Sequence, residues 1–127
     1  MRVEPQRGSA AVEFALVVPL VLILALALVQ VGLLTRDRLL VEAASRAGAR
    51  EAAVTPDDQR IVTAVQQGAT GIDPSTLTVA VSRSGSRGDR VSVKVTLVDV
   101  FEVPFVGWLM GTDATLVSTT TMRQEFG

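Results

Sequence analysis

Cysteine and histidine are both absent from the sequence. That excludes disulfides, a thiol nucleophile, a Cys- or His-based metal site and any catalytic triad built on imidazole. Lysine is almost missing as well: Lys94 stands alone among arginines, the formal net charge is −1, and no basic block occurs. Nothing in that balance points to nucleic acid. With so few groups left for catalysis, the expectation is a non-enzymatic protein without cofactor or metal. The lack of cysteine is also compatible with an exported domain.

What the sequence does contain is one long apolar run. Phe14 to Leu34 reads FALVVPLVLILALALVQVGLL, with no charged residue. At about 1.5 Å per residue a helix of this length reaches roughly 30 Å, the thickness of a bilayer's hydrocarbon core. The 127 residues therefore divide into a polar leader (1–8), a transmembrane helix (9–34), an amphipathic continuation of that helix (35–55) and one small domain (56–127). Pro19 lies inside the span. It reads either as a proline tolerated in lipid or as a flexible point that lets the helix repack on leaving the membrane.

Beyond the run the helical pattern turns amphipathic. Leu40, Ala43, Ala44 and Ala47 recur on one face, and Arg38, Glu42, Arg46 and Arg50 form an i, i+4 row on the other. Arg38–Glu42 and Glu42–Arg46 are spaced to pair. Thr55-Pro56 ends the helix. Pro56-Asp57-Asp58 opens a second, short helix, with Ile61, Val62 and Val65 as its buried side and Gly68 and Gly71 at its end. The period then changes to two. Leu77, Val79 and Val81 alternate with polar or small residues, and so do Val91, Val93, Val95 and Leu97, across a hairpin loop from Arg83 to Asp89. A third strand is expected from about Ala114 to Glu125. The fold class is α+β: a long N-terminal helix, a short helix, and an antiparallel sheet of about three strands with one face covered by helix.

The connection from Phe101 to Gly111 is strongly apolar and carries Phe101, Phe105 and Trp108. These side chains either cap the small core or form an exposed tip that touches the membrane or a neighbouring subunit.

The front edge of the apolar run is the informative motif. Gly8-Ser9-Ala10-Ala11-Val12-Glu13-Phe14 leads straight into it. A carboxylate at that edge, with no basic residue beside it in the run, is a cost a plain anchor does not need. Here the sequence resembles type IV pilin-like proteins, in which a prepilin peptidase cuts after a glycine and leaves glutamate as the fifth mature residue. Glu13-Phe14 looks like the Flp branch. RGSAAVEFALVVPLVL, the overall layout, and an ending of the type Met122-Arg123-Gln124-Glu125 look like the TadE-like pseudopilins of tight-adherence systems. The resemblance implies cleavage between Gly8 and Ser9, and a role for Glu13 and Phe14 in assembly. It implies as partners the prepilin peptidase, the main Flp-type pilin, a second pseudopilin and membrane platform proteins. It also implies a single pass through the cytoplasmic membrane, N-terminus inside and C-terminal domain outside, with incorporation into an extracellular pilus. The flanking charges alone do not decide orientation, since Arg2 and Arg7 on one side are matched by Arg36 and Arg38 on the other.

A competing reading is a signal-anchored or secreted binding domain unrelated to pili. Ala25-Leu26-Ala27 has the small-x-small form of a secretory cleavage site, and a cut there would leave Leu28 first. Three weaker signals are set aside: Arg87-Gly88-Asp89 as turn chemistry rather than an adhesion tripeptide; Ser92 and Lys94, which share a strand face without an oxyanion site; and Ala44-x-x-x-Gly48 and Ala49-x-x-x-Ala53, spacings that permit close helix packing.

Overall fold

A computed structural model describes residues 7–100 and 113–126, with side chains described for 8–98 and 115–126. Its elements in chain order are α1 (Arg7–Val54), α2 (Asp58–Gly68), a 3-10 turn (Pro74–Thr76), β1 (Leu77–Arg83), β2 (Arg90–Val100) and β3 (Asp113–Arg123). The expected α+β architecture is what the chain forms. It divides into two compact units, Met1–Leu33 and Leu34–Gly127, which are described separately.

In the first unit α1 runs helically through Pro19. Its large apolar side chains are turned outward along the run, Phe14 at 72% exposure and Leu16 at 73%. A helix apolar on every side and buried by nothing in its own unit has the length and composition to cross a membrane.

The second unit is built around a sheet of order β1-β2-β3, antiparallel throughout. The register lines up one apolar face in rows. Leu77 stands opposite Leu97 and Leu97 opposite Leu116; Val79, Val95 and Ser118 form the next row, then Val81, Val93 and Thr120. Because side chains alternate across a strand, the other face carries Thr78, Thr96 and Val117, then Ala80, Lys94 and Thr119. Val91, Val93, Val95 and Leu97 on the central strand are buried together with Val41, Ala44, Ala49 and Ala52 of α1 and Ile61 and Val65 of α2. The two helices thus cover one face of the sheet.

Small residues allow that layer to close. A Cβ on Gly48 would stand 2.5 Å from a Val65 methyl and 3.1 Å from one on Val93; on Gly68 it would stand 2.9 Å from the Ala44 backbone. The Ala44-x-x-x-Gly48 spacing therefore serves packing within the chain. Loops are fixed by short polar side chains. Asp57 caps α2 by accepting the Gln59 N–H at 2.9 Å, and Asp73 accepts the Ser75 N–H at 2.9 Å. In the hairpin loop Gly88 has a φ of +95°, where a side chain is strained. Its N–H donates to the Gln124 carbonyl at 2.9 Å, and Asp89 accepts from the Ser86 N–H at 2.9 Å. Residues 87–89 are thus bound into turn geometry, as expected.

Several details correct the sequence reading. The buried face of α1 is rotated from the Leu40/Ala43/Ala44/Ala47 row: Val41, Ala44, Ser45, Gly48 and Ala49 are buried, Leu40 and Ala47 are half-buried, and Ala43 is exposed. Helical spacing alone allows a stripe of small residues to face either way, and the valines of β2 decide it. Val62 is exposed at the edge of α2 rather than on its buried side, which is Ile61 and Val65. Of the two expected pairings of Glu42, the one with Arg46 forms. β3 spans Asp113–Arg123 rather than 114–125. Gln124 and Glu125 leave the ladder, the latter to donate its N–H to the Ala53 carbonyl at 2.8 Å, near the C-terminal end of α1. Phe101, Phe105 and Trp108 lie outside the described residues.

The head of α1 as a candidate functional site

Gly8, Ser9, Glu13 and Phe14 all sit in the opening turns of α1 and are exposed. Helical geometry places residues four apart on one face, with Cβ atoms about 5–6 Å from each other. Ser9 and Glu13 have that spacing. The backbone nitrogen of residue 9 thus lies about one helical turn before the residue that carries the Glu13 carboxylate. No ion pair to Glu13 occurs among the described residues.

Gly8 differs from the glycines of the second unit. A Cβ added there would meet nothing within 4 Å, and its φ is not positive. Neither packing nor backbone conformation requires glycine at this position, whereas both sides of the α1–α2 contact depend on it at Gly48 and Gly68. The fold supplies no reason for Gly8 to be glycine.

One polar group in the span carries no signal of charge and is easily passed over. Gln30 lies about one turn inside the end of the apolar run, and its Oε1 is screened from solvent without accepting a hydrogen bond.

In the second unit the ionisable groups serve as struts. Arg60 pairs with Glu51 at 2.6 Å, tying α2 to α1. Arg83 pairs with Asp58 at 3.0 Å and donates to the Pro56 carbonyl at 3.3 Å, tying β1 to the start of α2. The Ser75 N–H holds the Asp73 carboxyl below the usual carboxylate range. A hydroxyl cluster lies between helix and sheet, with Ser45 buried and Ser118 and Thr120 half-buried. Ser45 donates to the Glu42 carbonyl at 3.0 Å and lies 2.9 Å from the Ser118 hydroxyl and 2.8 Å from that of Thr120. Its single proton goes to Glu42, so the other two hydroxyls donate to it. Alternation placed Ser118 and Thr120 on one face of β3; their meeting with Ser45 depends on long-range packing that no sequence period reports. Ser92 pairs with the Thr121 hydroxyl at 2.8 Å, which gives its side chain a structural use on the open face of the sheet. A groove of about 540 Å³ runs between Arg38, Val41 and Glu42 of α1 and Thr115–Thr119 of β3. Among the described residues no three His, Cys, Asp or Glu side chains cluster as a metal ion would need.

No curated protein and no solved structure matches the chain. A family model does, over residues 8–50, and its description is TadE-like protein. The match begins at Gly8 and takes in the head of α1, the apolar span and most of the helix beyond it. It bears out the resemblance read from the Gly8–Phe14 motif, and it suggests a protein associated with a Tad-type pilus. The likeness to TadE-like proteins is thus carried by residues 8–50, about a third of the chain.

Proposed function

We propose that the chain is a non-enzymatic minor pilin or pseudopilin. It is anchored in the cytoplasmic membrane by the front half of α1, with the second unit outside, and processed by prepilin peptidase between Gly8 and Ser9. It then takes part in assembly, initiation or tipping of a Flp-type pilus, alongside the main pilin, a second pseudopilin and the membrane platform. The observation that carries this reading is an unconstrained glycine at position 8 together with an acid at position 13 that pairs with no described residue. An unpaired carboxylate costs up to about 2.5–3.5 kcal/mol at the middle of an inserted helix, and less at its edge. Cleavage would release an amine within reach of Glu13, either on the same helix or on a neighbouring one. Pairing across neighbours would reward assembly over the free subunit. Pro19, in the exposed part of the helix, supplies a position where α1 can adjust on moving from lipid into a filament.

Mass spectrometry of the mature N-terminus in the native host tests the reading. Ser9 as the first residue supports it; Leu28 would mean a secreted protein, and an intact Met1 a simple anchor. Glu13→Gln should leave insertion and cleavage unchanged while abolishing recovery in sheared pili. Normal incorporation of that variant would remove Glu13 from the mechanism.

A further inference from the structure

We infer that the membrane segment pairs with a second copy of this chain, in parallel, through a seam centred on Gln30. The inference rests on the membrane-spanning reading of the front half of α1. Gln30 is the one amide in the run from Phe14 to Leu34, its side chain is only half-buried, and its Oε1 accepts no hydrogen bond from any described residue. Within hydrocarbon, water cannot satisfy such a group, so an unpaired amide favours a neighbouring helix that can.

The side chains that share its face define the contact. With a repeat of 3.5 residues per turn, Ile23, Leu26, Gln30 and Leu33 fall on one stripe. All three apolar members are exposed. These are alternate seam positions of a two-helix pair, and a single polar residue at such a position fixes register and partner. Ala27 beside the stripe keeps the approach close.

The chemistry of the amide selects the occupant. A primary amide carries both acceptor and donor. Two copies inserted in the same direction hold Gln30 at the same depth, so each NH₂ can donate to the other Oε1 across a two-fold axis parallel to the helices. Such an interface is isologous: one stripe meets its own copy. A helix of different sequence has to provide a matching polar group at that depth; a second copy has one by construction.

The test uses the full chain in lipid vesicles, with association read by energy transfer between labelled copies. Wild type should associate; Gln30→Leu should weaken association roughly threefold to tenfold, and Gln30→Asn should retain most of it. Because the chain has no cysteine, single introduced thiols report geometry cleanly. Ile23→Cys should form a disulfide-linked dimer under mild oxidation, and Leu28→Cys, on the opposite side, should not. Equal association of wild type and Gln30→Leu, a monomeric wild type, or equal cross-linking at both positions would overturn the inference. Alkaline extraction of the same vesicles separates the two layers of the argument. Retention of every variant in the membrane keeps the span and isolates the pairing as what succeeded or failed. Release of wild type into the soluble fraction overturns the span, and the pairing with it.

Discussion

Glycine and apolar residues have opposite meanings in the two units. Before Leu34, Gly8 and Gly32 face open space and apolar side chains are exposed around the helix. After it, Gly48 and Gly68 are hemmed in by valine and alanine, and Val91, Val93 and Val95 have no exposure at all. The same helix thus passes from a sequence whose demands are met outside the chain to one whose demands are met within it. Apolar residues in the first stretch are packed by nothing in their own unit, and those in the second are packed by each other.

Substitutions sharpen that contrast. The largest effect is expected where glycine is hemmed in. Gly68→Val forces a branched side chain against the Ala44 backbone, and overpacking of this kind costs about 1–3 kcal/mol or more. It should lower the thermal midpoint of the full chain in micelles by well over ten degrees or prevent folding. Val93→Ala comes next. It empties a fully buried site between α1, α2 and the sheet, at a cost of about 1.5–3 kcal/mol in a denaturant titration. Ser45→Ala removes the acceptor shared by Ser118 and Thr120 and should cost about 1–2 kcal/mol. The triple change Ser45→Ala, Ser118→Ala, Thr120→Val should recover most of that, because no hydroxyl is then left without a partner.

Asp73 gives a smaller, pH-dependent effect. Its folded carboxyl is held low by the Ser75 N–H, so its contribution is present above the unfolded carboxylate range. It is lost as pH falls through the folded value. The difference in thermal midpoint between wild type and Asp73→Ala should therefore be small at neutral pH and vanish in strong acid. Gly8→Ala marks the other end of the contrast. Stability should stay within about 0.5 kcal/mol, while cleavage before Ser9 is lost in the native host. A large drop in stability would instead show that Gly8 serves the fold.

Much of this was legible in the residues. A charge-free run of this length dictates a helix and a membrane-compatible surface. The switch of period at Leu77 locates the strands, and Asp57 and Asp73 announce the turns they cap. The Gly8–Glu13 motif was equally readable, because its spacing is local: residues one helical turn apart meet whatever the rest of the chain does. Failures came where a choice depended on distant partners. Ala43 and Val62 sit at helical spacings as good as those of Ala44 and Ile61, yet they are exposed.

Sequence by itself determined the elements, the order of the chain, and the helical spacing of Ser9 and Glu13 at the head of α1, since each follows from short-range periodicity and backbone preference. Tertiary structure alone decided which stripe of the helix is buried, that Gly48 and Gly68 are closed off while Gly8 is open, and that Ser45 finds two hydroxyls on β3. Those outcomes depend on how closely helices and sheet approach. That distance is set by the summed volumes of side chains far apart in sequence, and no local pattern encodes it.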